Sequence, residues 1–186
     1  MPFLADDMVN KLLDEAEAHG SCFAAHREPE LSLFARRAEA GELVRPAPRL
    51  YARREHWATL CPEERELHVI RGIARLGEDW IFCGPSAALL HGLSVSHRRL
   101  GTVEVCYPRG GRRLYGGRVL TRHMGRNAEA PVHLDGARAT PLLRTALDCM
   151  RTFGLRDGLA VADSALRAGG LSREELVDYI DAADHR

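Results

Sequence analysis

The sequence predicts an α/β protein of the mixed α+β type, with a winged helix-turn-helix over residues 1–56 and a mixed α+β domain over residues 57–186. Three features indicate this class: amphipathic helices that stop at glycine, short apolar runs around a proline-rich turn, and a central region where strand and helix patterns alternate. Hydrophobic residues make up 45% of the chain, which is ordinary for a protein with a packed core.

The N-terminal part has the pattern of a winged helix. Residues 6–19 predict a first helix, because apolar side chains recur at helical spacing until Gly20 ends the run. Residues 23–26 are the candidate for a short second helix, and residues 29–40 predict a third. Residues 43–52 contain two short apolar runs around a proline-rich turn, which predicts a hairpin. Three helices followed by a hairpin is the winged-helix order.

The second part predicts alternating strands and helices. Pro62 followed by two glutamates marks the start of a helix, because proline fits the first turn and acids favour the positive end of the helix dipole. The segments that follow are a strand over residues 80–83, a helix over 84–92, and strands over 103–107, 117–122 and within 131–139.

Three helices are predicted at the end of the chain. Thr140 before a proline is expected to cap the first of them. In the second, Leu155 and Leu159 belong to an apolar stripe that is expected to face the core. Ser172 and Glu175 have the spacing of a capping box, which predicts where the third helix begins.

Composition and charge exclude several classes of protein. The 26 basic and 26 acidic residues cancel, so any affinity for nucleic acid must come from local segregation of charge. No apolar stretch is long enough to span a membrane, and the first residues lack the pattern of a secretory leader. The five cysteines contain no C-x-x-C pair, which is typical of reduced thiols, and the nine histidines lack metal-binding spacing. We therefore expect a cytoplasmic protein without metal or cofactor.

A cluster of arginines falls on the third predicted helix and the hairpin. Between residues 36 and 54 there are six arginines and two glutamates, a local net charge of +4. Cations on a helix and wing can contact phosphates while polar side chains reach base edges. The alternatives are an ordinary solvated surface and a non-catalytic protein–protein interaction module. The candidate DNA-contacting residues are Ser32, Arg36, Arg37, Arg45, Arg49, Arg53 and Arg54.

Five segments carry a resemblance to a known family. They read Ala-Gly-Glu-Leu-Val-Arg-Pro-Ala-Pro-Arg-Leu-Tyr-Ala (40–52), Pro-Glu-Glu-Arg-Glu (62–66), Gly-Pro-Ser-Ala-Ala-Leu-Leu-His-Gly-Leu (84–93), Thr-Val-Glu-Val-Cys-Tyr-Pro-Arg-Gly (102–110) and Gly-Ala-Arg-Ala-Thr-Pro-Leu-Leu-Arg-Thr-Ala-Leu-Asp-Cys (136–149). In this order, over about residues 8–170, the chain resembles the AbiEi-type antitoxin family of type IV toxin–antitoxin systems.

The resemblance implies a transcriptional regulator. Members of the family bind promoter DNA through an N-terminal winged helix, and their C-terminal domain is linked to antitoxin activity. The expected partners are therefore double-stranded promoter DNA, a toxin and, on an inverted-repeat operator, a second copy of the chain. Many relatives continue into a domain resembling a very-short-patch-repair endonuclease, which this chain would lack. The segment over residues 21–30 departs from the family, with Glu28 and Glu30 where cations would suit DNA.

The strand and helix patterns over residues 82–107 also invite comparison with nucleotidyltransferases. That chemistry needs two carboxylates one residue apart to hold magnesium. The corresponding positions are Thr102 and Glu104, so only one carboxylate is present, although Gly84 and Ser86 are candidates for a phosphate cradle. We therefore expect no enzyme activity, and a degenerate nucleotidyltransferase-like domain is the alternative to an interaction module.

A second basic region follows. Between residues 98 and 126 eight arginines accompany a single glutamate, a local net charge of +7. It is a candidate second DNA surface, an RNA-contacting face, a dock for an acidic toxin, or solvated loop charge. Its members are Arg98, Arg99, Arg109, Arg112, Arg113, Arg118, Arg122 and Arg126.

Overall fold

The computed structural model describes residues 3–77, 80–107, 119–123, 129–168 and 170–184. The chain is of the α+β class, as predicted, and its residues form two compact units. Residues 3–77 belong to the first unit and the remaining described residues to the second. No helix in the described residues combines the length and apolar character needed to cross a membrane.

The described residues of the first unit form a small antiparallel sheet and four helices. Strands β1 and β2 both pair with β3, so the sheet order is β1-β3-β2. Phe23 lies opposite Tyr51 in the first pair, and Leu43 lies opposite Arg53 in the second. The elements are α1 (Phe3–Ala18), β1 (Phe23–Ala24), α2 (Glu30–Glu39), β2 (Leu43–Ala47), β3 (Leu50–Arg53), α3 (Arg54–Thr59) and α4 (Pro62–Ala74).

Apolar side chains from α1, α2 and the strands form the core of this unit. Leu13, Phe34 and Tyr51 are buried together, and the Phe34 ring stacks on Phe23 with centroids 4.2 Å apart. Helix α4 packs on the other face of the sheet. A Cβ added at Gly72 would lie 3.1 Å from Leu50 and from Cys22, so glycine permits this close approach of helix to sheet.

The second helix predicted over residues 23–26 is wrong. Phe23 and Ala24 form β1 instead, and the strand is extended by hydrogen bonds that a local pattern does not reveal. The Cys22 N–H donates to the His68 carbonyl (2.9 Å) and the Ala25 N–H donates to the Arg49 carbonyl (2.8 Å). Within residues 24–43, therefore, α2 is the one helix.

The first unit also extends beyond the predicted boundary between residues 56 and 57. That boundary falls inside α3, which follows β3 directly. Helix α4 contacts β1 and β3, so both helices after the hairpin belong with the N-terminal sheet. The physical reason is the buried face of α4, where Val69, Ile70 and Ile73 are enclosed.

The second unit contains a mixed five-stranded sheet in the order β6-β5-β4-β8-β7. Strand β4 pairs antiparallel with β5 and parallel with β8, while β5 and β6 are parallel and β7 and β8 antiparallel. The elements are β4 (Ile81–Phe82), α5 (Gly84–Leu90), β5 (Val103–Tyr107), β6 (Val119–His123), β7 (Val132–Leu134), β8 (Ala137–Ala139), α6 (Leu142–Arg167) and α7 (Arg173–Asp184).

The helical end of this unit follows the prediction with two corrections. Helix α6 breaks at Gly154 (φ 75°, ψ 174°), so its two halves and α7 are the three predicted helical segments. Leu155 and Leu159 are exposed rather than buried, because the break rotates the second half so that Val161 and Ala165 face the interior. The predicted cap Thr140 makes no capping hydrogen bond and instead contacts the Thr145 hydroxyl (2.7 Å).

The capping box of the last helix is confirmed. The Ser172 N–H donates to the Glu175 carboxylate (2.7 Å), and the Glu175 N–H donates to the Ser172 hydroxyl (3.1 Å). Leu171 and Leu176, on either side of this start, are both buried. The local sequence signal is therefore sufficient to define where α7 begins.

Candidate nucleic-acid interface

The exposed face of α2 contains two members of the predicted contact set, Ser32 and Arg36, together with Glu39. Ser32, Arg36 and Glu39 follow one another at helical spacing and are all exposed. The Ser32 hydroxyl donates to the Glu28 carboxylate (2.6 Å), so it already has a partner. Arg36 makes no ion pair with a described residue. This face thus offers one cation between two acids, Glu28 and Glu39.

The hairpin positions two further arginines in different ways. Arg45 on β2 is exposed, and its guanidinium lies 5.9 Å from the centre of the Tyr51 ring. Arg49 lies in the turn with φ 65°, and its side chain points back to the chain before α2. It donates to the carbonyls of Ala25 (2.8 Å) and His26 (2.5 Å). Arg49 therefore fastens the turn to the end of β1.

Arg53 at the end of β3 is held by helix α1. Its guanidinium donates to Glu17 (2.8 Å), to Asp14 (2.7 Å) and to the Asn10 carbonyl (3.0 Å). Burial acts to lower the pKa of Arg53, but the hydrogen bonds and charges of Asp14 and Glu17 outweigh burial and raise that pKa above its ordinary value. Arg53 is therefore a cross-link between α1 and the sheet.

Arg37 and Arg54 are also engaged within the unit. Arg37 pairs with Asp6 of α1 and with Glu42 (3.2 Å). Arg54 donates from Nε to the Gly41 carbonyl (2.6 Å). Together with Arg53 they line a cleft of about 300 Å³ that also contains Glu42 and Glu55. Because acids neutralise this cleft, its arginines are poorly placed to contact phosphate.

The structure thus divides the six arginines of the predicted contact set into two groups. Arg37, Arg49, Arg53 and Arg54 have partners inside the unit, whereas the described residues offer Arg36 and Arg45 no ion pair. Sequence reasoning missed the acids that engage the arginines. The signal for them is the helical spacing of Asp6, Asp14 and Glu17 along α1, which places acids on related faces of one helix.

A histidine pair joins α3 to α4 in the same unit. His68 is buried, and its Nδ1 donates to the Glu64 carbonyl (2.8 Å), because a carbonyl only accepts. Its Nε2 is then the acceptor for the Nε2–H of His56 (3.3 Å). Burial lowers the pKa of His68, and the nearby charges of His56 and Arg71 lower it further. The folded unit therefore favours the neutral imidazole.

This pair predicts loss of stability in mild acid. Because the His68 pKa is lower in the folded than in the unfolded chain, its contribution is complete above about pH 6.5 and declines as the pH falls from there towards the folded-state pKa. We expect His68→Asn, whose amide can still donate to the carbonyl, to show a shallower decline in urea-unfolding free energy between about pH 6.5 and 5.

The matched control for this prediction is His19→Asn. His19 makes the same kind of bond, from Nδ1 to the Glu15 carbonyl (2.6 Å), but at an exposed position in the turn after α1. His19→Asn therefore controls for the loss of a histidine–carbonyl hydrogen bond at an exposed position. Parallel curves for the wild type and His68→Asn would show that the buried histidine is not the titrating group.

The single carboxylate of the nucleotidyltransferase-like pattern is turned inward in the second unit. Glu104 on β5 is buried, and its carboxylate fills the space beside Gly84, where an added Cβ would lie 2.7 Å from Oε2. The Ser86 hydroxyl accepts a hydrogen bond from the Glu104 N–H (2.9 Å). Thr102 lies exposed before the strand. The predicted phosphate cradle at Gly84 and Ser86 is therefore occupied by the protein's own groups.

The remaining sequence candidates are metal ligands and the basic region over residues 98–126. The described residues contain no group of three or more histidine, cysteine or acidic side chains arranged to hold a metal ion. Arg98 is exposed, whereas Arg99 donates to Asp157 (3.1 Å) and to the Phe153 carbonyl (2.8 Å). Arg109, Arg112, Arg113, Arg118, Arg126 and the side chain of Arg122 lie outside the described residues.

Comparison with known proteins adds no assignment to these sites. A scan against protein-family models and a search of curated proteins found no match to this chain.

Proposed function

We propose that this protein is a DNA-binding transcriptional regulator that contacts double-stranded promoter DNA through its N-terminal unit. The observation that carries the proposal is the pair of exposed cations that form no ion pair with a described residue, Arg36 on α2 and Arg45 on the adjoining strand β2. Cations that the fold does not use itself are the groups available to phosphates. The β2–β3 hairpin that follows α2 supports a helix-and-wing arrangement, although one helix rather than the predicted two lies between α1 and β2.

The proposed contact set is smaller than the sequence predicts. Arg36, with Ser32 beside it, is the candidate for the groove-facing helix, and Arg45 is the candidate for the wing. Two phosphate contacts give modest, salt-sensitive affinity, with a slope of log K against log salt of about −1.8 from this unit. Further contacts from Arg98 would make the slope steeper.

The regulatory and antitoxin part of the proposal rests on the resemblance to the AbiEi-type family. The partner it suggests is a toxin encoded beside this gene, bound by the second unit. Catalysis is not part of the proposal, because the one carboxylate of the nucleotidyltransferase-like pattern packs against Gly84. The cytoplasm is the compartment that this role requires.

Binding to a duplex from the protein's own upstream region tests the proposal. We expect fluorescence anisotropy to show tighter binding to that duplex than to a scrambled one, and Arg36→Ala/Arg45→Ala to weaken binding about tenfold or more. Lys11→Ala is the control, because it removes an exposed cation from α1. No preference for the upstream duplex, or equal affinity of the double variant, would contradict the proposal. Capture of the neighbouring gene product without DNA binding would favour an interaction module.

A further inference from the structure

The second half of α6 presents two leucines to solvent. After the break at Gly154, Leu155 is 80% exposed and Leu159, one turn later, is 47% exposed. The opposite face of the same segment buries Val161 and Ala165. Isolated surface leucines are common, but adjacent ones on a helix form an apolar stripe that gains free energy when covered.

Two opposite charges lie along one side of this stripe. Arg156 and Asp163 are exposed and lie before and after Leu159 along the helix axis, and neither side chain pairs with a described residue. They are seven residues apart, or about 10 Å along the axis, so they are too far apart to pair with each other. At about 100° per residue, both charges fall with the two leucines on an arc of about 100° of the helix surface.

This arrangement is self-complementary. When two copies of the segment pack antiparallel about a twofold axis beside Leu159, each Arg156 lies opposite Asp163 of the other copy. The two Leu159 side chains meet between the two ion pairs, and each Leu155 lies just beyond them. A parallel arrangement would place like charges opposite each other. We propose that the surface formed by Leu155, Arg156, Leu159 and Asp163 is the interface with a second copy of this chain.

The proposed dimer does not rest on DNA binding. One helix pair buries less surface than a standard protein interface, so we expect a dissociation constant in the micromolar range. The two ion pairs at the rim set the antiparallel orientation, and the leucines supply the apolar contact. Should the chain bind an inverted repeat, the dimer would present two DNA-binding units to it.

Sedimentation equilibrium of the full chain from about 5 to about 500 µM tests the interface. We expect a reversible dimer whose dissociation constant rises about tenfold or more in Leu159→Glu. Val177→Glu is the matched control, because Val177 on α7 is 46% exposed and lies off the proposed interface. A wild-type chain that stays monomeric throughout, or a dimer weakened equally by Val177→Glu, would overturn the proposal.

Exchanging the charges at positions 156 and 163 tests the antiparallel orientation of the two helices in the proposed dimer. Arg156→Asp and Asp163→Arg each place like charges opposite each other, so each variant alone should dimerise about tenfold more weakly. An equimolar mixture should form a heterodimer, since every 156–163 contact in it joins opposite charges, and the combined variant R156D/D163R should recover wild-type association. Failure of both the mixture and the combined variant to associate would overturn the antiparallel interface, with circular dichroism confirming that each variant is folded.

Discussion

Replacing Arg53 with alanine is expected to destabilise the N-terminal unit by about 1–3 kcal/mol. Arg53 is 26% exposed and holds Glu17, which is 22% exposed, and Asp14 on α1. Oε1 of Glu17 is buried without a hydrogen-bond partner among the described residues. Removal of the guanidinium therefore leaves a half-buried carboxylate with neither oxygen bonded, and such orphaned charges cost more than the ion pair itself contributes.

The loss of unfolding free energy in Arg53→Ala can be measured for the first unit alone. The chain has two tryptophans, Trp57 in the first unit and Trp80 in the second, so in a Trp80→Phe background fluorescence reports urea unfolding of the first unit. Arg36→Ala is the control and should change the unfolding free energy by less than about 0.5 kcal/mol, because its side chain is exposed. Equal effects of the two substitutions would show that Arg53 is not a structural cross-link.

A second large effect is expected from Gly84→Ala, which should destabilise the second unit by about 2–4 kcal/mol. Gly84 has φ +53°, which an L side chain adopts at a cost. In addition, the new Cβ would lie 2.7 Å from the buried Glu104 carboxylate, which has to move. Both penalties fall on the same residue, because Gly84 combines a positive φ with the close approach of this carboxylate.

Gly92→Ala separates the cost of the positive φ from the cost of moving the Glu104 carboxylate. Gly92 also has positive φ (+73°), but an added Cβ there meets nothing within 4 Å. In a Trp57→Phe background, where Trp80 reports the second unit, Gly84→Ala should be less stable than Gly92→Ala by about 1–3 kcal/mol. Equal losses would mean that Glu104 does not occupy the space beside Gly84.

The elements that local sequence predicts well are those whose signals are themselves local. Ser172 and Glu175 bond to each other across one helical turn, so the start of α7 is visible without knowledge of the fold. Strand β1 escapes local prediction because its partners on β3 lie 26 and 28 residues further along the chain, and two residues carry too little alternation. Leu155 and Leu159 are predicted to be buried because they are large apolar residues at helical spacing, whereas the face that packs in the structure consists of the smaller Val161 and Ala165.

The candidate site was predicted less completely than the fold. Sequence identifies which residues are arginine, but not which of them meet an acid from another element. Arg53 meets Glu17 across 36 residues, and Arg37 meets Asp6 across 31. Such pairings depend on how α1 packs over the sheet, and local charge counts therefore overstate the field available to DNA.

The salt dependence of duplex binding tests the division of the arginines most directly. Anisotropy titrations from about 50 to about 200 mM salt give the slope of log K against log salt, which reports the number of phosphate contacts. The expected result is a slope shallower by about 1.8 in Arg36→Ala/Arg45→Ala and unchanged in Lys11→Ala. An unchanged slope in the double variant would contradict the assignment of Arg36 and Arg45 as the DNA-contacting cations.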